Sequence, residues 1–195
     1  MPRHPDPALE ERLLNAAEML WNRGGEKALT MRAVATAAGT NTPTVYRRFK
    51  NREDLLRGML RRILSRIRNY LEHGRTGCEV AEAYLGYALC NPNEYRLFCE
   101  GVRLLNVPKG KAGPRPIRES RPNFAFAERA LANELGGKPE DHTQLALQIW
   151  AISHGTATML LAKTIPDGHE ENLKDACRAG IAALIAHAKR VRPLA

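Results

Sequence analysis

Much is missing that would mark a secreted, membrane-bound or catalytic protein. The four cysteines among 195 residues, Cys78, Cys90, Cys99 and Cys177, show no C-x-x-C spacing, so free thiols in a reducing interior are expected, with Cys90 and Cys99 as core residues rather than a redox pair. No run approaches about 18 uninterrupted apolar residues, so no membrane span is expected. The opening MPRHPDPALEERLL has no apolar stretch of the kind a secretory signal needs, which points to the cytoplasm. Six histidines (His4, His73, His142, His154, His169, His187) include no pair at metal-ligand spacing on one helix, so neither a metal nor a cofactor is expected. Ser153 sits beside His154, but adjacent helical residues point apart, and no Gly-x-Ser-x-Gly elbow is present. An enzyme is therefore not expected. Nor is there any β-branched run with period-two alternation, which leaves an all-α chain.

What is present is positive charge in one place. The formal net charge is +9, with a sequence pI near 9.7, yet residues 1–68 carry +7 of it and the remaining 127 residues only +2. Nine basic residues fall between positions 43 and 68 (Arg47, Arg48, Lys50, Arg52, Arg57, Arg61, Arg62, Arg66, Arg68) against Glu53 and Asp54. Such clustering is the electrostatic footprint of a phosphate-binding surface, or else a solvated basic helix face.

The apolar spacing predicts about nine helices. Leu9, Leu13, Ala16, Ala17 and Leu20 mark the first, from Pro7 to about Arg23, ended by Gly24-Gly25. Thr30 caps a short second helix that stops at Gly39. Asn41 or Thr42 caps a third, running to about Arg48, and a longer fourth covers 52–72 with Glu53 and Asp54 in its first turn. Further helices are expected at 78–90, 92–105, 123–135, 139–163 and 169–190. Between them, 106–122 holds Pro108, Pro114, Pro116 and Pro122, a long loop and a candidate entrance or lid for a pocket.

Thr30–Phe49 (TMRAVATAAGTNTPTVYRRF) fits a helix-turn-helix. Ala35 is the small residue facing the partner helix, and Gly39 supplies the positive-φ turn. Val45 and Phe49, four apart, form the buried side of the second helix, which leaves Thr42, Pro43, Thr44, Tyr46 and Arg47 for a groove. Short side chains at the start of that helix let its backbone sit among base edges, where Thr or Pro meets thymine methyls.

The run from Leu13 to Leu56, with AAG at Ala37–Gly39 followed by Thr44, Tyr46, Phe49, Asn51, Arg52, Glu53 and Leu55, strongly resembles the DNA-binding domain of TetR-type transcriptional regulators. Arg52 stands where that family more often has Lys. The C-terminal segments YLGYALCNPNEYRLF and WAISHGTATML resemble the Trp-His-Gly subgroup of its ligand domains. The resemblance implies a three-helix helix-turn-helix domain over 1–50, extending into the linking helix 52–72, and a helical ligand-binding and dimerisation domain over 51–195. It further implies a homodimer on a pseudo-palindromic double-stranded operator and a small-molecule effector. By the same resemblance, Thr30 and Tyr46 donate to phosphates, Arg52 binds phosphate as a cation, and Thr42, Pro43, Thr44 and Arg47 face base edges. Arg32 and Arg48 reach either strand, and Thr40 completes the set. For the ligand, the candidates are Tyr84, Tyr87, Phe98, Phe124, Trp150 and His154, aromatic or polar groups suited to an apolar pocket. The rival reading is a nonspecific nucleic-acid-binding or architectural protein, which shares the charge asymmetry but does not require the helix-turn-helix spacing.

Overall fold

The computed structural model describes residues 7–101, 117–121 and 123–191, and all the regular structure among them is helical. Most of the proline-bearing stretch expected as a loop, 106–116 and Pro122, lies outside the described residues, as do 102–105 at the end of the predicted sixth helix. The helices are α1 (Pro7–Ala28), α2 (Met31–Ala37), α3 (Thr42–Arg48), α4 (Arg52–Leu71), α5 (Gly77–Cys90), α6 (Pro92–Gly101), α7 (Ile117–Ser120), α8 (Phe124–Leu135), α9 (Thr143–Leu161) and α10 (Glu170–Val191). Two details differ from the sequence reading. The predicted 139–163 helix is a short 3-10 turn, Pro139–His142, followed by α9. A single turn, α7, forms within the stretch expected to be loop. The break at Gly24-Gly25 is there as non-helical backbone inside α1, with Gly25 at φ +60°.

The described residues divide into two compact units. The first holds residues up to Ile63 together with 96–101; α4 and α6 therefore each contribute residues to both units. Here α2 packs between α1 and α3. Leu13, Ala17, Val34, Ala35, Val45, Phe49, Leu55, Met59 and Leu60 make a dry core. Short helices of seven residues are marginal alone, so this burial and their caps hold α2 and α3 in place. Thr30 Oγ1 accepts from the Ala33 amide at 3.1 Å, and Asn41 Oδ1 from the Thr44 amide at 2.9 Å. Gly39 takes φ +65°, the left-handed turn conformation that glycine adopts without a Cβ clash.

The second unit holds Leu64–Tyr95 and the described residues from 117 on. Its core is Ala81, Phe124, Leu131, Leu135, Ala146, Ile149, Cys177, Ile181 and Ile185, where α5, α8, α9 and α10 meet. Gly77 starts α5 against the core: a Cβ there would lie 2.7 Å from Leu131 Cδ2 and 2.8 Å from Ile185 Cδ1. Glu134 ties the same corner together, accepting from the Gly77 amide at 3.1 Å and from Lys189 Nζ at 2.8 Å.

Candidate nucleic-acid interface and interior polar cluster

Of the nine basic residues between 43 and 68, five face carboxylates. Arg48 pairs with Glu10, Arg52 with Glu26, Arg57 with Glu53, Arg62 with Glu18 and Arg66 with Glu94. Among the described residues Arg47, Lys50, Arg61 and Arg68 have no such partner. The free positive charge is thus smaller than the sequence cluster suggested, and on α3 it is Arg47 alone.

Helix α3 separates its sides as its spacing predicts. Val45 and Phe49 are buried. Pro43, Tyr46 and Arg47 are exposed, Thr42 partly so, and Tyr46 presents 51 % of its surface. Arg32 and Thr30 on α2 are also exposed, and Thr40 in the turn is half-buried. Three residues of the expected DNA set have other engagements. Thr44 is only 8 % exposed, and its hydroxyl accepts from Arg47 Nη2 at 2.7 Å. Arg48 is turned to Glu10 and lies over the Phe49 ring. Arg52, expected to bind phosphate, has three partners within the chain. Its Nε donates to Leu29 O at 2.9 Å, one terminal nitrogen to Glu26 O at 3.0 Å, and the other to Glu26 Oε1 at 3.1 Å. Carbonyls at a helix C-terminus lack intrahelical donors, and Arg52 supplies them where α1 ends. Thr30, expected to donate to phosphate, already serves as the α2 cap through its oxygen, which leaves its O–H proton to give.

In the second unit, four of the expected ligand residues form one connected chain. The Phe124 and Trp150 rings meet edge-on with centroids 6.4 Å apart, and Trp150 lies 5.8 Å from the His154 ring. His154 Nδ1 is 3.1 Å from the Tyr84 hydroxyl and 2.5 Å from that of Tyr95, while the two hydroxyls are 3.1 Å apart. Burial lowers the His154 pKa, so the ring is held neutral. A neutral ring accepts one hydroxyl proton at Nδ1 and carries its own N–H at Nε2. Tyr95 was missed from sequence; its signal was a second tyrosine eleven positions from Tyr84, across the Asn91-Pro92 turn. The other two expected residues stand apart. Tyr87 donates to Glu94 Oε2 at 2.6 Å and meets Tyr70 edge-on, and Phe98 belongs to the first unit. Cys90 and Cys99 are exposed, not core residues, and none of the four cysteines is in a disulfide among the described residues. Cys78 is partly buried, and burial followed by the nearby Glu134 and Glu82 charges pushes its pKa up, away from the reactive thiolate. Among the described residues there is no group of three or more metal-ligating side chains and no helix long and apolar enough to cross a membrane.

Comparison with known proteins places this geometry. Residues 13–59 match the family model for bacterial regulatory proteins of the tetR family, and residues 78–184 match that of the tetracyclin repressor-like C-terminal domain. An uncharacterized HTH-type transcriptional regulator of Mycobacterium tuberculosis, Rv0681, is 26% identical over 170 residues, covering 84% of this chain and 75% of that protein. A solved structure of a regulatory protein, SCO4313, shares the fold with a TM-score of 0.71 at 21% identity, over 92% of this chain and 96% of the other. A TetR variant from Acinetobacter baumannii AYE, crystallised with minocycline, aligns with a TM-score of 0.57 at 22% identity, over 93% and 97% of the two chains.

Proposed function

This chain belongs to the tetR family of bacterial regulatory proteins, and from that premise we propose that it is a cytoplasmic repressor which grips a pseudo-palindromic operator as a homodimer and releases it on binding a small effector. The observation that carries the DNA half is the outer side of α3. Pro43, Tyr46 and Arg47 project from it with Thr42 at its first turn, while Val45 and Phe49 anchor the other side in the core. Tyr46, Thr30 and Arg32 make phosphate contacts, and Thr42, Pro43 and Arg47 read base edges with Thr40 alongside. Thr44, Arg48 and Arg52 act as supports: they hold Arg47, α1 and the start of α2 in position.

For the effector half, the related fold of a TetR variant crystallised with minocycline supports a small-molecule ligand, which we assign to the second unit. The polar anchor we assign is the Tyr84–Tyr95–His154 cluster, flanked by Trp150 and Phe124. Aromatic rings beside a few convergent polar groups suit a largely apolar molecule bearing one hydrogen-bonding group. To act as an inducer the molecule must prefer the released state, since equal affinity for both states shifts nothing. Dimerisation falls to α9 and α10. Cys177, Ile181 and Ile185 on α10 bury in their own core. The adjoining face presents Ala176, Ala179, Ala183 and Gly180, and α9 presents Ala151 and Met159, small or apolar surfaces suited to close helix approach.

Titrating operator and random duplexes with Arg47→Ala and Arg52→Ala tests the division of labour. Arg47→Ala should weaken operator binding by about 1–3 kcal/mol and random binding less. Arg52→Ala should leave the slope of log K against log salt unchanged and lower the melting temperature instead. A salt slope flattened by about 0.9 in Arg52→Ala would return that residue to the phosphate-binding set.

A further inference from the structure

The second unit carries a cleft of about 420 Å³ lined by Arg68, Arg118, Ala125, Phe126, Glu128, Arg129 and Pro139. Three guanidinium groups around one cleft are costly to assemble unless something offsets their mutual repulsion. One of them is offset. Arg118 is fixed by Glu140 and by Glu128, whose oxygens lie 3.3–3.4 Å from its Nη2. Glu128 itself is only 1 % exposed and accepts from Thr143 Oγ1 at 2.6 Å. The other two have no carboxylate among the described residues. Arg129 is laid over the Phe126 ring, its Cζ 4.5 Å from the centroid, which restrains the side chain before any ligand arrives. Arg68 extends from the last turn of α4, exposed and without an ion-pair partner.

We propose that this cleft is a binding site for a small anionic ligand, a phosphate or carboxylate compound held by Arg68 and Arg129. The planar guanidinium fork matches both anions bidentately. Phe126, Ala125 and Pro139 offer an apolar wall for the body of the molecule, and a volume in the range of small-molecule sites admits more than a bare ion. Glu128 is the positioning residue. It holds Arg118 at the rim, and its Oε2 forms no hydrogen bond among the described residues.

The test uses the full chain and pyrophosphate as probe, by isothermal titration at low salt. Because pyrophosphate also suits a DNA-binding surface, Arg47→Ala serves as the control that removes charge from α3 alone. The wild type and Arg47→Ala should share a binding component that Arg68→Ala/Arg129→Ala weakens by about tenfold or more, as expected for losing charge-assisted contacts. Arg68→Gln alone, a change at an exposed side chain with no partner, should give a smaller loss in the same component and keeps the test valid if the double variant folds poorly. Retention of wild-type affinity in both cleft variants would overturn the proposal, as would a signal that disappears only in Arg47→Ala.

Discussion

His154 shows how burial alone can set a residue's chemistry. Desolvation depresses its pKa, so the folded chain favours the neutral ring that accepts from a tyrosine hydroxyl. The unfolded chain, with an ordinary value near 6.5, takes up that proton more readily. Stability from the neutral ring is therefore complete above about pH 6.5 and is lost as pH falls through the depressed folded-state value. Thermal melts at pH 7.5 and pH 5 should show a larger drop for the wild type than for His154→Gln, which cannot titrate. Equal drops in the two proteins would mean that the ring is not held neutral. At this scale the sequence was only partly readable. The apolar anchors Val45 and Phe49, the caps Thr30 and Asn41 and the glycine turn at Gly39 all followed from spacing and residue type. The engagements of Arg48, Arg52 and Thr44 did not, because a charge count does not reveal that Glu10 and Glu26, some 38 and 26 positions away, come within reach.

Elements were read more reliably than their joints. Helices α2, α3, α4, α5 and α8 lie within a residue or so of their expected limits because each has an apolar stripe bounded by a cap, a proline or a glycine. The 3-10 turn before α9 escaped notice, since Pro139 reads equally well as a first helical residue. The corner where α5 begins leaves little room. An added methyl at Gly77 must displace Leu131, Ile185 or the backbone, in a core where both are nearly or fully buried. Gly77→Ala should therefore destabilise the second unit by about 1–3 kcal/mol, the usual cost of overpacking, despite alanine's better helix propensity. Urea unfolding measures it; a Gly77→Ala protein as stable as the wild type would show that the corner relaxes freely.

Over the whole molecule, charge and shape assign separate tasks. The first unit gathers most of the net positive charge, neutralises much of it internally, and leaves Arg47 beside Tyr46 on an outward helix side. The second unit is nearly neutral by sequence and gathers aromatic rings around a hydrogen-bonded histidine. Nonspecific binding would require the first feature alone, whereas an operator-binding regulator requires a defined reading surface repeated with two-fold symmetry. Footprinting of the wild-type chain on the DNA flanking its own gene, at near-physiological salt, distinguishes these most directly. Two discrete protected half-sites are expected, inverted and centred about 34–36 Å apart or a multiple of that. Protection that spreads evenly along the fragment with rising protein, with no inverted repeat, would contradict the account.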